Sequence, residues 1–122
     1  MPKHIYLEDT HEHFKGRYEV PEAREIIIGR IGDDLFEEEI TKLGMGRIII
    51  PFKGEKVISK VHTIFHRYDL FGELFENDFT IIPYGRNPTY VNREKISSET
   101  SLHDNDRLGL DTRVLVFRVL LD

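Results

Sequence analysis

Polar residues suited to an anion stand where apolar, strand-like segments of this sequence begin or end. They are Gly29-Arg30 after EIII, then Ser59, Lys60 and His62 within KVISKVHTIF, and Gly85-Arg86-Asn87 before TYVN. Arginine binds a phosphate as a planar fork, and lysine binds it as a point charge. An asparagine amide both donates and accepts hydrogen bonds, as an extended peptide backbone requires. Because loops between strands commonly carry function, these residues predict a site for a phosphate and a peptide.

A catalytic pair is the alternative chemistry for this stretch, with Ser59 as nucleophile and His62 as base. Residues an odd number apart along a strand point to opposite faces of the sheet, which works against that pairing. The sequence also contains neither a Gly-x-Ser-x-Gly elbow nor a Walker-type Gly-Lys-Ser/Thr loop. We therefore expect a binding protein and not an enzyme.

Histidines near the start of the chain offer a further alternative, a metal site. His11 and His13 fall on one side of an extended segment, and His4 is close in sequence. The HEH stretch is equally typical of a polar loop, which is the preferred interpretation. Cysteine is absent, so thiolate ligands and disulfides are excluded. We expect neither a metal nor a cofactor.

The elements that must position these residues are short and rich in β-forming residues. Glycines and prolines separate the segments HIYL, RYEV, EIIIG, RIIIPF, VHTIFHRY, FTIIPY, TYVN and RVLVFRVLL. Many short strands at close spacing predict an all-β sandwich or barrel. The last segment, residues 113–121, is too apolar to have one face in water, which predicts a central position between the sheets.

One segment, residues 33–44, has the pattern of a helix. Its first turn is acidic and Gly44 follows its last apolar residue, both of which are typical of helix ends. Phe36, Ile40 and Leu43 lie on one stripe at helical spacing. A short helical insertion packed over a sheet edge is the preferred interpretation over an independent binding helix.

Length and charge restrict the remaining possibilities. The 122 residues suit a single domain over 1–122, with 39% apolar and 32% charged residues. A net charge of −5 argues against general nucleic-acid binding, which needs a broad basic surface. The sequence has no apolar run of membrane-spanning length and no signal-peptide pattern at its start, so we expect a cytoplasmic protein without a membrane partner.

Four motifs in order resemble the forkhead-associated (FHA) domain family. They are FKGRYEVPEAREIIIGR, VISKVHTIF, GRNPTYVNREKI and SLHDNDRLGL followed by VFRVLL. The family pattern has Gly-Arg at a strand end, then Ser-Arg-x-His, then Asn-Gly-Thr-x-Val-Asn, and an Asp-containing closing motif before the last strand. The resemblance covers about residues 14–121, with an insertion at 31–47.

The resemblance implies an FHA-like β-sandwich of eleven strands that binds phosphothreonine peptides through loops at one end. By position, Arg30, Ser59 and Lys60 would contact the phosphate or peptide, and Asn87 would bind the peptide backbone. Arg86 would meet residues further along the peptide. Support for the site would come from a second group of residues, Gly29, His62 and Asn92.

Departures from the family pattern leave some roles open. Lys60 stands where the family has arginine, so the charge is kept but the planar fork is lost. Arg47, in a second Gly-Arg pair, competes with Arg30 for the phosphate role, and Arg30 is preferred because of the motif before it. Pro88 replaces a glycine and removes an N–H. Gly85 stands where the family often has serine.

The resemblance implies a phosphothreonine-binding adaptor or regulator in Ser/Thr kinase signalling, with a threonine-phosphorylated protein or peptide as its partner. An alternative remains open, a module that assembles with other proteins through the sandwich surface without phosphate. The sequence does not determine the partner, the kinase or the oligomeric state.

Overall fold

A computed structural model of the protein describes residues 3–30, 45–51, 57–59, 61–69 and 78–121. These residues form eleven β-strands. In chain order the strands are β1 Lys3–Asp9, β2 Arg17–Glu19, β3 Glu25–Gly29, β4 Gly46–Ile49, β5 Thr63–Arg67, β6 Phe79–Pro83, β7 Thr89–Val91, β8 Glu94–Lys95, β9 Thr100–Ser101, β10 Arg107–Leu110 and β11 Arg113–Leu121. The helix predicted at residues 33–44 lies outside the described residues.

The strands form two sheets that pack face to face. The six-stranded sheet has the order β2-β1-β11-β10-β7-β8, and the five-stranded sheet has the order β4-β3-β5-β6-β9. The pairing of β3 with β4 is parallel, and the other registers, such as that of β1 with β11, are antiparallel. The predicted all-β sandwich is therefore confirmed.

Alternating side chains from both sheets build the core. Phe65 of β5, Phe79 of β6 and Phe117 of β11 form an aromatic centre, with ring centroids 5.3 to 6.0 Å apart. Ile26 and Ile28 of β3 are fully buried beside them. Burying a side chain of this size stabilises the fold by about 1.5–3 kcal/mol, so these strands hold a rigid frame for the loops at their ends.

The last strand differs in detail from its sequence prediction. β11 is central within its sheet, between β1 and β10. Its inward residues Leu115 and Phe117 are fully buried, whereas Val114 and Val116 on the other face are only half-buried and Leu120 is exposed. The strand therefore has one core face and one outer face, because nothing in the described residues covers the outside of this sheet as a third layer.

Several loops meet at one end of the sandwich, here called the site end, where β3 and β6 stop and β5 and β7 begin. Ile28 of β3 pairs with Thr63 of β5, and Thr63 pairs with Pro83 of β6. In the other sheet, Leu110 at the end of β10 pairs with Thr89 at the start of β7. The described residues 57–59 and 61–62 and the loop 84–88 are thereby brought to the same edge of the molecule.

A buried ion pair fixes β1 to β11. The Arg113 guanidinium donates to both carboxylate oxygens of Asp9, at 2.9 and 2.6 Å, and the Tyr18 hydroxyl donates to Asp9 at 2.6 Å. Burial alone would raise the pKa of Asp9, but hydrogen bonds from Arg113, Tyr18 and the His11 N–H outweigh it and hold that pKa below its usual value. The Phe14 ring stacks 4.4 Å from the guanidinium carbon of Arg113.

No described segment is a helix long and apolar enough to cross a membrane.

Candidate functional site

Ser59 is held at the surface by the residue before it. The Ile58 side chain is fully buried in the core cluster, and Val57 packs against that cluster from the edge. This apolar anchor fixes the position of the short segment 57–59, and Ser59 lies half-buried at the site end. The position of Ser59 therefore follows from the packing of the residue before it.

His62 ties the two site loops together through both ring nitrogens. The Ser59 N–H donates to Nδ1 of His62 at 3.0 Å. Nε2 of His62 lies 2.8 Å from the carbonyl oxygen of Pro88. Because Nδ1 accepts a hydrogen bond, Nε2 carries the proton and donates it to Pro88. The ring is therefore neutral, with a fixed tautomer, and it connects the segment 57–59 to loop 84–88.

The pKa of His62 is lowered from its usual 6.5 chiefly because burial disfavours the charged ring, while Pro88 and the charge of Asp111 oppose the shift. Protonation would place a second N–H against the amide of Ser59. With both nitrogens engaged by other groups, His62 is not positioned to take a proton from the Ser59 hydroxyl. The arrangement is that of a scaffold and not of a nucleophile with its base.

Asn87 bridges the loops a second time. Its backbone N–H donates to Oγ of Ser59 at 3.3 Å, and its side-chain Nδ2 donates to the carbonyl of Val57 at 2.7 Å. The Ser59 hydroxyl thus accepts from the protein and keeps its own proton to donate outward. Asn87 is half-buried and lies beside that hydroxyl.

Gly85 allows the loops to approach this closely. A Cβ on residue 85 would lie 2.6 Å from both Cβ and Oγ of Ser59 and 2.7 Å from the Val61 carbonyl oxygen. The backbone amides of Tyr84 and Gly85 both donate to the His62 carbonyl at 3.1 Å. Glycine is required here by contact with the neighbouring loop, which explains the absence of the serine that the family often carries.

Arg30 lies beside Ser59. Its backbone N–H donates to the Ser59 carbonyl at 3.2 Å, immediately after β3 ends at the buried Gly29. Arg47, the competing candidate, pairs with Ile27 within β4, two positions before Ile49, which pairs with Gly29. Arg47 is therefore set back along the strand from the site end, and the backbone geometry favours Arg30.

The remaining predicted residues lie in three different places. Arg86 is exposed at the tip of loop 84–88, next to Tyr84, which is 67% exposed. Asn92 lies at the far end of β7, where it bonds to Asp106 and to the Arg107 amide. It supports the β7–β8 turn and does not contact the site. Lys60 lies outside the described residues.

Pro88 fits the site through its carbonyl group. That oxygen accepts from Nε2 of His62 at 2.8 Å and from the Asp111 N–H at 2.9 Å. Both hydrogen bonds of residue 88 are accepted by its carbonyl oxygen, so neither of them needs the N–H that proline lacks. One peptide group thereby joins the five-stranded sheet, through His62, to the β10–β11 turn of the other sheet.

Three features of the site are not predictable from the sequence. The Val57 carbonyl, the close approach at Gly85 and the Asp111 amide all act through backbone groups or through a missing side chain. Gly85 was noticeable as a departure from the family pattern. Val57 and Asp111 had no signal in the sequence, because the backbone carbonyl of the one accepts and the backbone N–H of the other donates, and neither role requires a particular side chain.

The histidines near the start of the chain contact one another. His11 and His13 stack 5.4 Å apart, and Nδ1 of His11 accepts from the His13 amide at 3.2 Å. Across the described ranges, no group of three or more histidine or acidic side chains is arranged to hold a metal ion.

The sequence matches the family model of the FHA domain over residues 26–111. A search of curated proteins gave no match. The matched residues 26–111 include Arg30, Ser59, His62 and Asn87. The match to the family model therefore covers the residues that build the site.

Solved structures agree in fold. The FHA domain of an Arabidopsis thaliana hypothetical protein has a TM-score of 0.68 at 15% identity, covering 98% of this chain and 87% of its own. The yeast Dun1 FHA domain, in complex with a doubly phosphorylated peptide, has a TM-score of 0.65 at 16% identity, covering 96% of this chain and 73% of its own.

A third similar structure is Mycobacterium tuberculosis EmbR in complex with a low-affinity phosphopeptide, with a TM-score of 0.63 at 20% identity. That match covers 94% of this chain but only 24% of EmbR, so the chain spans about a quarter of the length of that protein. At these identities the likeness establishes the sandwich fold.

Proposed function

Because the chain belongs to the FHA (forkhead-associated) family, we propose that it binds phosphothreonine in a partner protein through the loops at the site end. The observation that carries the proposal is the connection between the two loops. His62 and Asn87 hold Ser59 next to the backbone of Arg30. The Ser59 hydroxyl accepts a hydrogen bond from Asn87, which leaves its proton to donate to a ligand. A hydroxyl donor and an arginine on adjacent segments of the chain suit a phosphate dianion.

The chemistry of recognition is electrostatic and directional. The Ser59 hydroxyl donates one hydrogen bond to a phosphate oxygen, and Arg30 supplies the positive charge. Each charge-assisted hydrogen bond contributes about 1.5–3 kcal/mol. An unphosphorylated threonine offers neither the charge nor the acceptors, so binding depends on phosphorylation. Asn87 holds the loop edge along which the peptide backbone passes.

We further propose that the protein acts as an adaptor or regulator in Ser/Thr kinase signalling, without catalysis of its own. Two structural neighbours, EmbR and the Dun1 domain, were solved with phosphopeptides, which supports a phosphorylated partner for this fold. The engaged His62 supports a non-enzymatic site, since its ring nitrogens serve the loops.

The test is calorimetric titration with two peptide pools that are degenerate around a central residue, either phosphothreonine or threonine. The wild type is expected to bind the phosphorylated pool and to show no heat with the other. Ser59→Ala should weaken binding about 10- to 100-fold, as the loss of one charge-assisted hydrogen bond predicts. Ser98→Ala, an exposed serine outside the site, is the matched control and should bind as the wild type does.

Equal binding of both pools would contradict the proposal, as would an unchanged affinity in Ser59→Ala. If the protein ignores both pools yet forms a complex with itself or other proteins by light scattering, the phosphate-independent assembly module becomes the better account.

A further inference from the structure

A groove on the outer face of the six-stranded sheet starts next to the candidate site. It has a volume of about 410 Å³ and is open along one side. We call it the Arg93–Arg107 groove; its lining is Tyr90, Arg93, Arg107, Gly109, Asp111, Thr112 and Val114. It lies on the outer face because Leu108 and Leu110, the alternate residues of β10, are fully buried on the inner one.

The groove exists because Gly109 has no side chain. Gly109 pairs with Tyr90 of β7 on one side and with Val114 of β11 on the other. A Cβ on residue 109 would lie 3.0 Å from Cβ of Tyr90, so any larger residue would fill the space between these side chains. The floor is therefore backbone, with an aromatic ring and an aliphatic group as walls.

The far end of the groove is basic. Arg93 and Arg107 are both exposed there, and Lys95 on β8 pairs across from Tyr90. The one acidic residue of the lining, Asp111, lies at the other end. A chain with a net charge of −5 thus presents a local group of cations along one apolar channel. Such a channel complements an acidic peptide segment.

The groove is continuous with the site. The Asp111 amide donates to the carbonyl of Pro88, at 2.9 Å, and Pro88 follows Asn87 directly. Arg107 lies opposite Asn92, which is five residues after Asn87 along a nearly extended chain. The distance from Asn87 to the level of Arg107 is therefore roughly 16 Å, at about 3.3 Å per residue. An extended peptide covers the same distance with about five residues.

We propose that the phosphopeptide extends from the site across the β10–β11 turn into the Arg93–Arg107 groove, which selects acidic residues about four to six positions from the phosphothreonine. This inference rests on the proposed function and deepens it by adding a second determinant of partner choice. Tyr90 and Val114 pack against the peptide, and Arg93 and Arg107 pair with its carboxylates.

The experiment uses pools with a central phosphothreonine and three degenerate positions on each side. The short pool has no further residues. The glutamate pools add three glutamates at positions four to six from the phosphothreonine, on either the N-terminal or the C-terminal side, and the glutamine pools add three glutamines at the same positions. For one of the two sides, the glutamate pool should bind the wild type about fivefold more tightly than the glutamine pool at low salt, as two exposed ion pairs allow. Raising the salt concentration should shrink this gain.

Variants locate the effect. Arg107→Gln and Arg93→Gln should each reduce the glutamate gain while leaving the affinity for the short pool unchanged. Arg17→Gln is the matched control, because Arg17 is exposed on β2 at the other edge of the same sheet, stacked over Tyr6. It should keep the full gain.

The outcomes separate the two proposals. Binding of the short pool with equal affinity for glutamate and glutamine extensions would overturn the groove alone. A glutamate gain that survives both arginine variants would overturn it as well. Failure of the short phosphorylated pool to bind would overturn the proposed function and, with it, the groove.

Discussion

His62 is the residue on which the site geometry depends most. It accepts a hydrogen bond from Ser59 on one nitrogen and donates to Pro88 with the other, and the ring is fully buried. A neutral ring is needed for this pattern, because a protonated imidazole has no acceptor. The motif at residues 59–62 was identifiable from the sequence, but the partner at Pro88 was not, since a carbonyl acceptor carries no residue preference.

The stability of the protein should therefore fall as the solution is acidified through the range of histidine titration. The folded pKa of His62 lies below its unfolded value of 6.5 because burial disfavours the charged ring. The contribution of neutral His62 is complete above about pH 6.5 and is lost as the pH falls from there to the folded pKa, because the unfolded chain takes up the proton first. Urea unfolding at pH 7.5, 6.0 and 5.0 measures it.

His62→Gln provides the comparison, because glutamine does not titrate. The variant should be less stable than the wild type by about 1–3 kcal/mol at pH 7.5, since it leaves a buried partner unpaired. Its loss between pH 7.5 and 5.0 should be smaller than that of the wild type. Equal losses in the two proteins would show that other groups cause the acid sensitivity.

Gly85 gives a second prediction at the residue scale. Gly85→Ala places a methyl group 2.6 Å from the Ser59 side chain, so the two loops must move apart. We expect about 1–3 kcal/mol of destabilisation and a loss of phosphopeptide affinity, measured by urea unfolding and calorimetry. Gly16→Ala is the control, because its added Cβ approaches only the Phe14 carbonyl, at 3.3 Å. Unchanged affinity in Gly85→Ala would contradict the close contact.

At the scale of elements, the longer strands were predictable and the shortest were not. EIIIG and VHTIFHRY correspond to β3 and β5 because their β-branched residues fit a buried sheet. β8 and β9 have two residues each, too few to show alternation, and they form because their neighbours offer a free edge. The parallel pairing of β3 with β4 also had no sequence signal, since short apolar strands look alike in either direction.

The β7–β8 turn contains a strained residue. Asn92 and Arg93 have φ values of 50° and 72° and connect the strands as a two-residue loop, the geometry of a type I′ turn. Asparagine adopts this conformation readily, and arginine does so at a cost.

We predict that Arg93→Gly raises the free energy of unfolding by about 0.5–1 kcal/mol, because glycine adopts a positive φ without strain. Chemical denaturation measures the change. Glu94→Gly, one residue further and inside β8, should instead lower stability by about the same amount. A destabilised Arg93→Gly would mean that the arginine side chain stabilises the fold more than its backbone strains it.

At the scale of the whole molecule, the core joins the two sheets, and a buried ion pair that no motif revealed joins β1 to β11 within the six-stranded sheet. Asp9 and Arg113 are 104 residues apart in sequence, and both are nearly inaccessible to solvent. The sequence predicts residues 113–121 only as an apolar strand, because a single arginine at the start of a strand resembles a surface residue. Long-range pairing of this kind becomes visible only when β1 and β11 are seen side by side.

Asp9→Asn should destabilise the fold by about 3–5 kcal/mol, because it leaves the Arg113 cation buried without its counter-charge. Urea unfolding at pH 7.5 is the measurement. Glu19→Gln is the control, since Glu19 and His4 form an exposed pair 4.0 Å apart, and the expected change is below about 1 kcal/mol. A loss of less than about 1 kcal/mol in Asp9→Asn would show that the pair contributes little.

The most direct test of the central claim is to map where a phosphothreonine peptide binds on the isotope-labelled protein by NMR. Titration with the phosphorylated pool should shift the backbone amide signals of Arg30, Ser59 and Asn87 most strongly, because these residues meet at one end of the sandwich. The unphosphorylated pool should leave them unmoved. Shifts centred on the opposite end, around the turn at Asn105, with none at Arg30, Ser59 or Asn87, would contradict the account.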